Sequence, residues 1–83
     1  MEQITNVKDA LEFLDNYILI AKNYNIKSCF FIKSNDKILV INENSKYYIS
    51  RKDFINDFNL FTFYIYKSFD EIDIDQEFHT LRQ

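Results

Sequence analysis

The sequence predicts a two-layer α+β fold, with an N-terminal helix packed on a small antiparallel sheet, in the order α-β-β-β-short α-β-short α. Three observations predict it. Apolar residues step at helical spacing over residues 6–24. From residue 26 the apolar period falls to two, in segments separated by Asn-bearing pairs. The chain has 83 residues, 47% apolar and 18% aromatic, enough for one dense core and too short for two. Residues 1–83 are therefore read as a single globular domain.

The helix over 6–24 rests on Val7, Ala10, Leu11, Leu14, Tyr17, Ile18 and Ala21, which fall on one buried stripe. Asn6 is its capping residue, and Asp9 and Glu12 suit the positive end of the helix dipole. Strands are expected at 26–33, 37–43 and 46–50. The pairs Asn35-Asp36 and Asn44-Ser45 supply turns in a chain without glycine, because Asn and Asp tolerate positive φ. Ser50, with Asp53 three positions on, opens a short helix over 51–58. Residues 60–67, LFTFYIYK, have the strongest strand character in the chain. A last helix is expected to start near Asp73, from the spacing of Ile74, Phe78 and Leu81.

The strands carry apolar residues on both faces. Phe30 and Ile32 oppose Phe31, Ile38 and Val40 oppose Leu39 and Ile41, and Phe61, Phe63 and Ile65 oppose Tyr64 and Tyr66. One helix covers one face. The other is expected to be covered by the tail, by a second copy in a homodimer, or by a protein partner.

Composition excludes several chemistries. With no Gly there is no glycine-rich phosphate loop, and with one cysteine there is no internal disulfide. Cys29 and His79 are too few for a zinc site, and Cys29, amid Phe30 and Phe31, reads as an inert core thiol. No catalytic residue, cofactor or metal is expected, so the chain is read as a non-enzyme. The start lacks the basic region of a signal peptide, and the longest apolar run, Tyr17 to Ala21, is far short of a membrane span. A cytoplasmic protein without membrane contact is expected, in a bacterium or an infected bacterial host.

Charge is segregated. Residues 1–68 carry a balance of +1 and residues 69–83 one of −4. Single, scattered lysines do not make the basic footprint that nucleic acid requires. The order helix, three strands, helix is similar to the double-stranded-RNA-binding domain, but that family's basic second-helix start and glycine-containing loop are absent. The alternative of a nucleic-acid-binding accessory protein rests on Lys and Tyr residues of the sheet, where Tyr47, Tyr48, Tyr64 and Tyr66 could stack bases.

Tyrosine is favoured at protein interfaces. The partner-binding candidates are Tyr47, Tyr64 and Tyr66 on the sheet, and Asp70, Glu71, Asp73, Asp75 and Glu77 in the tail, where carboxylates could mimic phosphates in a basic groove. Phe, Ile, Tyr, Asn and Lys dominate while Gly, Ala, Arg and Pro are scarce, the mark of an AT-biased gene. In layout and charge the chain resembles some anti-CRISPR proteins, with no motif in common. The expected function is a small protein-binding module, an inhibitor of host machinery carried by a phage or mobile element. An antitoxin or immunity protein is the alternative within the same class.

Overall fold

Residues 17–23 are a strand, not the second half of a helix, and this changes the architecture. In a computed structural model, which describes residues 3–23 and 26–68, the N-terminal helix α1 spans only Val7–Phe13. It is preceded by a two-residue strand, β1 (Gln3–Ile4), and followed by β2 (Tyr17–Asn23). The remaining elements are β3 (Ile26–Ser34), β4 (Lys37–Ile41), β5 (Lys46–Ser50), α2 (Arg51–Asp57) and β6 (Phe63–Ser68). The expected helix-first arrangement on a small sheet is thus incorrect. The described residues are mostly antiparallel sheet, with six strands in the order β1-β6-β2-β3-β4-β5 and two short helices.

The long helix fails for a packing reason. Val7, Ala10 and Leu14 are buried on one side, as a helical stripe requires. Beyond them Ile18 and Leu19 are both fully buried but belong to different apolar clusters. Consecutive side chains reach opposite surfaces only in a strand. The aromatic and β-branched residues Tyr17, Ile18 and Ile20 suit that state, and β2 gains a backbone partner on each side, β3 and β6. Asn6 does cap α1, its Oδ1 accepting from the Lys8 and Asp9 amides at 2.8 and 3.4 Å.

Strands β2 to β5 form a meander. Its β3–β4 turn is Asn35-Asp36, with Asn35 at φ 57°, the left-handed conformation that Asn tolerates. Ser50 ends β5 and caps α2, its Oγ accepting from the Asp53 amide at 3.0 Å. The chain then crosses the sheet through α2, and β6 returns antiparallel to β2 on its far side. The final strand starts at Phe63, later than expected. Leu60 is 93% exposed, and the Phe61 amide donates back to the Phe58 carbonyl in a turn. Between Ile18 and Leu19 the β2–β6 register slips, leaving Tyr66 as the extra residue of a bulge.

Both helices cover the same face. Val7, Ala10 and Leu14 from α1 join Phe54 and Phe58 from α2 over Leu19, Phe31, Val40 and Phe63. Phe31 is the hub, meeting Phe54, Phe58 and Phe63 edge-on at ring separations of 5.4, 4.9 and 5.4 Å. The opposite face holds a second cluster, Ile18, Ile32, Leu39 and Ile41, with Phe30 and Tyr66 packed against it and their ring centroids 5.0 Å apart. No residue of either helix belongs to that cluster. The expected C-terminal helix lies outside the described residues.

Candidate functional site

Strand β5 offers an open backbone edge. This strand closes the sheet order on one side, and among the described residues its only strand neighbour is β4. The sequence KYYIS has strand-forming residues at its centre, and the turn before it is held by a side chain. Asn42 Oδ1 accepts from the Asn44 amide, the Ser45 amide and the Ser45 hydroxyl at 3.0, 2.8 and 2.9 Å. That cradle replaces the glycine turn that this composition cannot supply.

The same turn sets the phase of the ladder. The Asn42 amide donates to the Ser45 carbonyl at 2.9 Å, so this pair is hydrogen-bonded. Antiparallel pairs alternate between bonded and non-bonded. It follows that Val40–Tyr47 and Ile38–Ile49 are bonded pairs, while Lys46, Tyr48 and Ser50 turn their amide and carbonyl groups away from β4. The Ser50 carbonyl serves the first turn of α2, as an N-cap carbonyl does. What remains outward is the Ser50 amide and both backbone groups of Tyr48 and Lys46.

Side chains flank this open ladder. Tyr47 is 39% exposed on the helix-bearing face, and Tyr48 is 55% exposed on the other. Partial burial, followed by the nearby Cys29 and Asp57, pushes the Tyr47 phenol up from its ordinary value. Edge strands are commonly protected by a central lysine, a proline or a bulge. Here the only charge is Lys46, at the end of the strand.

The other expected residues are placed differently. Tyr64 and Tyr66 share the second face but lie on β6, four strands from β5, roughly 19 Å away at about 4.8 Å per strand. Both are half-buried. The Tyr64 hydroxyl accepts from Gln3 Nε2 at 3.2 Å, and the Tyr66 ring rests edge-on against Phe30. Tyr47 faces the opposite way, so the three tyrosines do not form one surface. Asp70, Glu71, Asp73, Asp75, Glu77 and His79 lie outside the described residues. Tyr48, named at the sequence level only for base stacking, is the more exposed of the two β5 tyrosines. Its signal was present in the alternation with Tyr47, but its position at a sheet edge depends on strand order.

Neither Cys29 nor the depression beside α1 offers reaction chemistry. Cys29 is buried, and desolvation raises its thiol to about 11, so it is protonated at neutral pH. The depression is lined by Leu11, Leu14, Asp15, Lys33 and Arg51 and has about 10 Å³ of space, room for one water. At its rim Lys33 donates to Asp15 at 2.7 Å and holds that carboxyl below its ordinary range. Among the described residues no three His, Cys, Asp or Glu side chains converge as a metal site would need, and no helix is long and apolar enough to cross a membrane. Comparisons with protein-family models, with curated proteins and with solved structures find no match to this chain.

Proposed function

We propose that the chain is a non-enzymatic protein-binding module that takes an extended segment of a protein as an added strand against β5. The observation that carries this reading is the outward backbone of Lys46, Tyr48 and Ser50 between two exposed tyrosines. Main-chain groups would supply affinity in such a contact, and pockets beside alternate side chains would supply choice of partner. Tyr47 and Tyr48 suit the second task, since each offers a rigid apolar ring with a polar tip. The finer reading, an inhibitor of host machinery carried by a phage or mobile element, draws on the AT-biased composition and the acidic residues from Asp70 to Glu77.

Tyr48→Pro is the informative variant. Proline removes the Tyr48 ring and an amide that points away from β4, so the β4–β5 ladder stays intact while strand addition is blocked. The immobilised wild type and this variant are compared for stoichiometric retention of proteins from a bacterial lysate and of further copies of the chain. The reading expects at least one protein held by the wild type and lost by Tyr48→Pro. Equal retention by both, with the variant's circular dichroism unchanged, overturns edge docking.

A further inference from the structure

We infer that the strand added to β5 is the β5 of a second copy, making a two-fold dimer with one continuous sheet. This rests on the edge-docking reading and names its occupant.

The argument is one of register. A two-fold axis perpendicular to the sheet pairs two β5 strands antiparallel, and such pairing satisfies hydrogen bonds only where outward groups meet outward groups. In β5 those groups are at Lys46, Tyr48 and Ser50. Centring the pair on Tyr48 brings Tyr48 opposite Tyr48 of the second copy, and Lys46 opposite its Ser50. All outward positions then coincide. The two Tyr48 residues exchange two amide-to-carbonyl bonds, and each Ser50 amide donates to the opposite Lys46 carbonyl, giving four bonds across the seam.

The side chains agree with this register. On the helix-bearing face Tyr47 comes opposite Ile49, an aromatic beside a β-branched residue, a favourable cross-strand pair. On the other face the two Tyr48 rings meet beside Leu39, the neighbour of Tyr48 on β4, and extend that apolar cluster across the seam. Lys46 faces an uncharged serine, so no like charges are opposed. The helix α2 leaves the edge clear. It turns inward at Ser50, and its Phe54 and Phe58 reach Phe31 at the centre of the sheet.

Sedimentation equilibrium of the purified full chain, from about 10 μM to about 1 mM, tests the proposal. The wild type should show a monomer–dimer equilibrium, and Tyr48→Pro should weaken it at least about 10–100-fold through two lost bonds and the loss of both Tyr48 rings. Amide exchange gives a second readout that survives if the variant fails to fold. In the wild type the Tyr48 and Ser50 amides should become protected as concentration rises, while those of Tyr47 and Ile49 are protected throughout. A wild type that stays monomeric overturns the second copy as occupant but leaves edge docking standing, to be judged by retention of other proteins. A dimer that persists in folded Tyr48→Pro, or forms without protecting Tyr48, puts the contact elsewhere and overturns the proposal.

Discussion

Cys29 shows how burial alone sets the chemistry of a side chain. Its thiol is surrounded by apolar groups, and desolvation lifts its pKa from 9.0 to about 11. The folded state therefore holds this proton more tightly than the unfolded chain does. The resulting stabilisation is complete below pH 9 and is lost as pH rises from 9 through about 11, an effect of up to roughly 2–3 kcal/mol. Urea unfolding midpoints should fall across that window in the wild type and fall less in Cys29→Ala. A disulfide reagent at pH 8 should label the native thiol only as fast as the protein opens. This residue was legible in the sequence, because the flanking Phe30 and Phe31 already implied an apolar site. The tyrosines were less legible. The same residue type is half-buried at Tyr64 and exposed at Tyr48, and strand order separates the two cases.

At the scale of elements, capping and turn chemistry were read more accurately than period. Ser50 was identified as a cap, and its Oγ does accept from the Asp53 amide. Ser50→Ala should cost about 1 kcal/mol and lower the melting temperature by roughly 4–8 °C in a domain of this size. Thermal melts of the wild type and the variant, followed by circular dichroism, check this. The failure was β2. A short apolar run such as Tyr17 to Ala21 satisfies a helical stripe and a doubly buried strand equally well, and the arbiter is the number of backbone neighbours. Strand β1 was missed because two residues carry no period at all. Residues 60–62 were over-read, since apolar composition alone does not place Leu60 and Phe61 in a ladder.

Over the whole molecule, the apolar character of both sheet faces was visible in the alternation, and two clusters are indeed found on opposite sides. Strand order was not visible, because nothing local in LFTFYIYK tells β6 to pair with β2 across the sheet from β5. That crossing has a kinetic consequence. The meander from β2 to β5 is built from pairs between consecutive strands, whereas β6 must wait for the passage through α2 before Phe63 and Tyr64 meet Ala21 and Ile20. Contacts that close long loops tend to form late, so the outer side of β2 should stay open until the end of folding. In stopped-flow experiments Leu39→Ala, inside the meander, should mainly slow folding, while Phe63→Ala should mainly speed unfolding. On the ribosome the same order leaves a nascent sheet with an unsealed middle strand until residues 63–68 emerge. Self-association at that stage would come from β2, an edge that β6 covers in the finished sheet.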